Sequence, residues 1–465
     1  MAGTRRRKPM RVLPRVAYNA AMCLFLANQA WGNPNAARLG DDLTPFGSLR
    51  AGNAEGSIPA YSGGLSAAPE GFEAASGYWK NPFQDEKPLL RIDANNMHEY
   101  TDKLSEGQRK LLKTYPDYYM PIYPTHRTAG YPQHVLEATK RNASVCKTAR
   151  DYLAVSEACR GGIPFPLPAN GYEVMWNQML SYYGETAIIA PHNRSWSIDV
   201  NGTRTMTADQ KTFSERTFYQ TALADRDPQM YWRTYSITQA PARKAGEITG
   251  LLDFIDPLAK PRRAWSYTAG QRRVKLAPEF AYDTPVASLG GGLLFDELFV
   301  FSGRMDRFNF KYLGTREMYI PYNNYDLYTP SERCNGEGQF TGTHINPACE
   351  RFELHRVRVV EATLKEGMRH AYSKRVYYLD EDLSGAALVD AYDHNGELHR
   401  TMANTMVQLY DHGIPWAVRS HTYDFNKRML TVLGDFYEGG FEVMDEPMSN
   451  RSLNPEAVTA RETVR

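Results

Sequence analysis

The sequence predicts a mainly β fold with helices (α+β), organised around one large antiparallel sheet. Three observations carry that prediction. Aromatic-rich runs alternate with period two from about Met230 to Phe436, Gly, Asn and Asp turns separate them, and Gly/Pro-rich stretches keep long helices out of the region before residue 93. Tyr231-Trp232-Arg233-Thr234-Tyr235 is one such run. Ala264 to Ala269 turns at Gly270-Gln271 into Arg272 to Leu276. Arg375 to Leu379 turns at Asp380-Glu381-Asp382 into Gly385 to Tyr392, and Asp393-His394-Asn395-Gly396 turns again into Glu397 to Arg400. Asn-Gly is among the strongest hairpin signals, so these runs read as a meander.

From the N-terminus, Arg5, Arg6, Arg7, Lys8, Arg11 and Arg15 precede a mostly apolar stretch, Ala17 to Ala30, and Ala30-Trp31-Gly32 has the small-x-small pattern of signal-peptidase cleavage. Residues 1–32 therefore read as a signal peptide, which places the mature chain in the periplasm. The stretch is too short, and too interrupted by Asn19 and Asn28, for a permanent membrane span. Residues 33–186 read as a Gly/Pro-rich arm followed by helices that pack on the sheet. Phe46, Ile58, Tyr61, Phe72, Trp79 and Phe83 are spaced for an arm lying on an apolar surface. A helix is expected from an Asp93 cap to Tyr115, broken near Gly107, and a shorter one over Tyr172 to Tyr183. Thr139 to Arg160 is compatible with a helix or with two short strands. Residues 187–444 form the antiparallel β domain, and residues 445–465 a loose polar tail.

Removing residues 1–32 takes away six basic side chains and no acidic one, so the formal net charge moves from +1 to −5. That balance excludes a nucleic-acid partner as the leading reading. Mean hydropathy is −0.54, and the 12% aromatic content, led by thirty tyrosines, suits sheet faces and amphipathic walls. Four cysteines remain after cleavage in two close pairs, Cys146 with Cys159 and Cys334 with Cys349, neither with the spacing of a zinc or redox site. In an oxidising compartment they read as two local disulfides.

No catalytic set emerges, so the chain is not read as an enzyme, and no cofactor is expected. The histidines are scattered without metal-ligand spacing, and the acidic group Asp380, Glu381, Asp382, Asp390 and Asp393 reads as turn chemistry rather than a calcium loop, so no metal site is expected. Ser62 and Ser302 lack the strand-turn-helix context of a nucleophile, and Gly290-Gly291-Gly292 lacks the Lys-Ser/Thr of a phosphate loop. The segment Phe299 to Tyr325 mixes aromatics with Arg and Asp, and its functional reading is a ligand mouth in which Arg304 or Arg307 meets an anionic head group. Its bland reading, ordinary strand with ion pairs on the wet face, is the stronger of the two.

Several segments resemble a family of exported Gram-negative proteins catalogued as domain of unknown function thirteen-twenty-nine. They are Leu43 to Gly47 with Ala51 to Ala60, Asp85 to Leu89, Tyr123 to Arg127, Phe301 to Tyr325 and Arg375 to Asp382. That family is similar in fold to the outer-membrane lipoprotein carrier and receptor (LolA/LolB-like) group. The resemblance implies a curved, unclosed barrel with helices plugging its concave face and an apolar cavity between. It also implies an outer-membrane-type protein and a resistance-nodulation-division type exporter as partners, and hydrophobic cargo. The signal here is less apolar than the family's usual one.

The leading expectation is a periplasmic binding or carrier protein for a lipid, fatty acid or terpenoid. Wall candidates are Trp232, Tyr235, Trp265, Tyr267, Phe301, Met305 and Phe308, with Arg304 for a head group. The alternative is a periplasmic interaction or regulatory protein without a small-molecule cargo, gripping a partner's peptide or strand edge.

Overall fold

The computed structural model describes Met1, Gly3 and residues 35–223, 226–331, 334, 336–450 and 454–463. Apart from Met1 and Gly3, the expected signal peptide of residues 1–32 lies outside the described residues.

From residue 35 the chain runs as an arm of turns and short 3₁₀ segments. Then come β1 (Leu90–Ile92), α1 (Glu106–Thr114), β2 (Met120–Ile122), α2 (Gln133–Val145), a small hairpin β3–β4 (Thr148–Ala149, Ala154–Val155) and α3 (Gly171–Met179). A first meander follows: β5 (Ile188–Ile198), β6 (Arg204–Glu215), β7 (Met230–Ala240), β8 (Ile248–Phe254), β9 (Arg263–Thr268) and β10 (Arg273–Leu276). After a long connection come β11 (Phe308–Pro321) and the hairpin β12–β13 (Phe340–Thr341, His344–Ile345). The second meander is β14 (Phe352–Leu364), β15 (Lys374–Asp380), β16 (Ala386–Tyr392), β17 (Leu398–Leu409), β18 (Ile414–Asp424) and β19 (Met429–Asp435). A short β20 (Glu442–Val443) and α4 (Pro455–Thr463) close the chain.

The two meanders join through antiparallel β19–β5 pairing into one sixteen-stranded sheet, ordered β1-β2-β14-β15-β16-β17-β18-β19-β5-β6-β7-β8-β9-β10, with β11 also on β14 and β20 also on β5. No pairing among the described residues joins β10 to the other edge, so the sheet stays open. It is antiparallel except for one parallel bridge, Phe352 to Ile122. The anticipated turns form where their residues demand. Asp393 Oδ1 accepts from the Asn395 and Glu397 backbone N–H groups, and Thr268 pairs with Arg273 across the β9–β10 turn.

One core cluster joins the arm and helices (Ile58, Trp79, Leu112, Trp176) to the sheet (Val357, Tyr377, Val389, Val432). Trp79 stacks on Phe441 with centroids 4.7 Å apart, and its indole N–H donates to Asp411 at 2.7 Å, so the arm lies on the sheet. The Cys146–Cys159 and Cys334–Cys349 disulfides form, with Cα atoms 4.6 and 5.6 Å apart, and the second brackets β12–β13.

Two local expectations are corrected. The stripe from Asp93 breaks at Leu104–Ser105, not at Gly107: a 3₁₀ segment (Met97–Lys103) precedes α1, which Ser105 caps with Gln108 in a reciprocal capping box. Gly107 sits inside α1 for lack of space, since a Cβ there would lie 2.1 Å from both Asp390 Oδ1 and Thr401 Oγ1. Its N–H instead donates to Asp390 Oδ2 at 3.0 Å. Nor are the described residues of the polar tail loose. Val458 of α4 is fully buried against Phe213, Tyr235, Ile248, Trp265 and Tyr267, and Arg461 donates to the Tyr235 hydroxyl at 2.7 Å. The Asn450 side-chain oxygen accepts from Arg226 at 2.6 Å and Arg233 at 2.8 Å.

Candidate functional site

Strands β5 to β9 turn two different faces outward because their side chains alternate. On one face lie Phe213, Tyr235, Ile248, Trp265 and Tyr267, covered by α4. The other face is polar: Thr212 and Ser214 of β6, Thr234 and Ser236 of β7, and Thr249 of β8, with Arg216 continuing the β6 row. Its hydroxyls bond across the strands. Thr212 and Ser236 are 3.2 Å apart, and Asn193 Nδ2 donates to Thr212 at 3.3 Å. The Asn193 side-chain oxygen is buried without a partner among the described residues.

A cap formed by residues 284–301 covers this hydroxyl face. Val286, Leu289, Phe295 and Leu298 point apolar groups at it. The backbone closes on itself at a Pro285–Leu294 bridge. Gly292 presses the cap onto β19, where an added Cβ would lie 2.0 Å from Thr431 Oγ1. The Gly290-Gly291-Gly292 triplet thus serves close packing. Phe299 and Val300 both adopt positive φ, +55° and +64°, a conformation that costs bulky or β-branched residues on the order of 1–3 kcal/mol each. Buried side chains hold the strained turn. Gln178 donates to the Phe299 carbonyl, Arg375 to Asp296 at 3.0 Å and Arg400 to Glu297 at 3.2 Å.

Between cap and sheet lies a cavity of about 170 Å³, walled on its remaining side by Tyr183, Trp416, Leu433 and Phe436. Its lining is mostly apolar, and among the described lining residues there is no His, Cys, Lys, Asp or Glu. The one charged lining residue is Arg216. It is only 4% exposed, donates to the Met179 carbonyl at 3.1 Å, and sits among three rings: Phe299 at 4.9 Å, Tyr183 at 5.0 Å and Trp232 at 5.4 Å. Among the described residues no carboxylate lies within ion-pair distance of it. Asp253 acts on it only from a distance and is itself forked by Arg262, at 2.7 Å to each oxygen. Burial pulls the Arg216 guanidinium below its ordinary range, and burial pushes the Tyr183 phenol up to about 12. A larger recess, about 710 Å³, opens between the arm and Asp326–Ser331, but charged and polar residues such as Glu73, Lys80, Asp85 and Asp326 line much of it.

Of the eight residues singled out from the sequence, Trp232 alone lines the cavity. Tyr235, Trp265 and Tyr267 belong to the opposite face under α4. Phe301, Met305 and Phe308 are solid core, at 1–3% exposure. Arg304 pairs with Asp306 at 2.7 Å and Arg307 with Asp283 at 3.1 Å, so neither guanidinium is the one held apart from a carboxylate. Alternation explains the first correction, because Trp232 and Tyr235 are three residues apart and must face opposite sides. The Thr212-x-Ser214-x-Arg216 and Thr234-x-Ser236 rows carried the missing signal in the sequence.

His355, Asp380 and Asp382 bring their ligand atoms within 4.8 Å of one another, a spacing a metal would accept. Their chemistry is otherwise committed. Arg127 forks Asp382 with two bonds of 2.7 Å. His355 lies 3.4 Å from Asp380 and 3.2 Å from Glu353 and is stacked on Tyr322. Burial pulls the His355 imidazole down, but its bonds to Asp380 and Glu353 prevail and push it up to about 9. A protonated imidazole donates no lone pair to a metal.

A curated relative, an uncharacterized protein of Pseudomonas aeruginosa, is 39% identical over 405 residues, covering 86% of this chain and 87% of the relative. Among solved structures, a DUF1329 family protein from Desulfovibrio piger is 14% identical with TM-score 0.39, covering 59% of this chain and 91% of its own. A putative outer membrane lipoprotein-sorting protein domain from Vibrio parahaemolyticus is 15% identical, also with TM-score 0.39, covering 59% and 92%. A LolA superfamily protein from Nitrosomonas europaea is 9% identical with TM-score 0.35, covering 62% and 99%. Scores this low carry no argument about what is bound. The family model described as "Protein of unknown function (DUF1329)" matches residues 91–459, and the chain belongs to that family.

Proposed function

We propose that this protein is an exported, periplasmic binding or carrier protein for a hydrophobic or amphipathic molecule, held between the hydroxyl face of β5–β8 and the cap. The supporting observation is the cavity: about 170 Å³, mostly apolar, with one polar wall. An apolar hollow of about 150 Å³ in another protein is enough to take benzene. Some six methylenes placed inside contribute about 5 kcal/mol, at roughly 0.8 kcal/mol each. A longer guest extends toward the mouth. With no acid, base or thiol among the described lining residues, the reading is binding rather than catalysis. An outer-membrane protein and a resistance-nodulation-division type exporter remain the proposed delivery partners.

The test is native mass spectrometry and organic extraction of protein recovered from cells. A bound mass that is lost on extraction and identified as an amphiphile supports the proposal. Protein of bare chain mass that also takes up no fluorescent fatty acid contradicts it. One observation favours the interaction reading. Among the described residues edge strand β10 has only β9 as a neighbour and leaves Leu276 68% exposed, an edge to which a partner strand could add. Crosslinking in cells that captures a protein at β10, with the cavity empty, favours that reading.

A further inference from the structure

We infer that the guest carries a single carboxylate head group and that Arg216 is its anchor; this rests on the binding reading above. Five deeply placed guanidinium groups elsewhere in the protein meet carboxylates: Arg127 with Asp382, Arg233 with Glu215, Arg262 with Asp253, Arg375 with Asp296 and Arg400 with Asp424. Arg226 and Arg358 meet only carbonyl or amide oxygens among the described residues, but neither lines this cavity. Arg216 is as deeply buried as the paired five, yet its described partners are one carbonyl and three rings. A buried charge without a counter-ion is costly, and cation–π contacts offset only part of that cost. The side chain lines the 170 Å³ cavity, so a ligand can supply the missing anion.

The rest of the lining narrows the class. Arg216 is the only cation among the described lining residues, which balances one negative charge and not the nearly two of a phosphate monoester. The planar guanidinium matches a planar carboxylate in a two-point fork. Phe299 and Trp232 hold the ring cage together, with centroids 5.2 Å apart, and the Trp232 indole is fixed by donating to Ser214 at 2.9 Å. The hydroxyl row beside Arg216 serves the remaining lone pairs of the head. The apolar cap takes the tail.

Isothermal titration of the full mature protein at neutral pH with decanoate, 1-decanol, decylammonium and decyl phosphate tests this. Decanoate should bind about 10- to 100-fold tighter than decanol, the range expected for a hydrogen-bonded charge pair. Decylammonium should bind worst, and decyl phosphate no tighter than decanoate. Arg216→Met should bring decanoate down to the level of decanol without weakening decanol, and Arg216→Lys should retain part of the preference. Equal affinity for acid and alcohol overturns the carboxylate anchor while leaving the binding reading intact, and it needs no variant to fold. Tighter binding of decyl phosphate overturns the choice of head group. Failure of all four ligands to bind overturns the anchor, and extraction of a native guest then decides whether the carrier reading falls with it.

Discussion

Arg216 and Arg375 make an instructive pair, one in each half of the sheet. Both are buried and both are caged by aromatic rings: Tyr183, Trp232 and Phe299 around Arg216, and Phe301, Phe308, Tyr372 and Tyr377 around Arg375. They differ in the counter-ion. Arg375 reaches Asp296 at 3.0 Å, while Arg216 reaches a backbone carbonyl. Burial pulls both guanidinium groups down, but the Asp296 charge carries Arg375 above its ordinary range and Arg216 stays below. On the other side of that pair, burial would raise Asp296, yet Arg375 and His370 bring it to about 2. Around Arg375 the protein thus finishes the charge pairing itself, although Arg375 Nε and Asp296 Oδ1 keep no bond among the described residues, whereas around Arg216 it leaves the guanidinium for something else to complete. The finished half also supports the unfinished one, since Arg375 and Arg400 hold the two acids that brace the strained cap.

Removing each guanidinium is the strongest way to break this comparison. Arg375→Met takes the guanidinium from the buried Asp296 carboxylate, leaving His370 as its remaining side-chain partner, and should cost about 3 kcal/mol of folding stability. Arg216→Met strands no charge, only the Met179 carbonyl; that lost bond, about 1 kcal/mol, is offset by relief of the unpaired buried charge, so the net change should stay under about 1–2 kcal/mol. Urea unfolding midpoints at constant m-value read both. Equal losses would mean that Arg216 has a counter-ion after all. A second substitution separates cavity from core: Ser236→Phe fills the hollow and should weaken fatty-acid uptake about tenfold or more, with a stability change within about 1–2 kcal/mol. Undiminished uptake would place the guest elsewhere.

An effect of at most about 1.4 kcal/mol per pH unit probes the finished half. Glu350 is buried, accepts from the Tyr118 hydroxyl at 2.8 Å and lies 3.8 Å from His421. Burial pushes this carboxyl up to about 8, and burial with the Arg419 charge holds His421 well below its ordinary range. At neutral pH both groups are therefore neutral, and their contact is not an ion pair. The folded state keeps a proton on Glu350 that the unfolded chain releases near its ordinary 4.5. That contribution is complete below 4.5 and is lost as pH rises through about 8. Stability should accordingly fall across this window, by at most about 1.4 kcal/mol per pH unit, and Glu350→Gln should flatten the slope. An unchanged slope in the variant removes Glu350 as its source.

Much of this architecture could be read from residue order. Turn residues such as Asp393 to Gly396 and period-two runs specify hairpins locally, and closely spaced cysteines pair locally, so both were legible. The open sheet and its joined meanders matched a family resemblance rather than any periodicity. What stayed hidden depends on which face is covered. Alternation separates Trp232 from Tyr235 but does not say which side α4 seals, and large aromatics drew attention to the sealed side and to the solid core. The polar tail docks through two widely spaced apolar side chains, Met448 and Val458, together with backbone and amide acceptors, a pattern too sparse for hydrophobic periodicity to reveal. The cap depends on positive φ at Phe299 and Val300, which no local preference of those residues announces.

The central claim, a hollow between cap and sheet that holds a guest, is tested most directly by crystals grown with 10-bromodecanoate and measured at the bromine edge. The account predicts a carboxylate within hydrogen-bond distance of Arg216, with anomalous density for the tail marking a path between the cap and Trp416 or Phe436. A cavity closed by the protein's own side chains, with bromine absent from it at saturating ligand, would contradict the account.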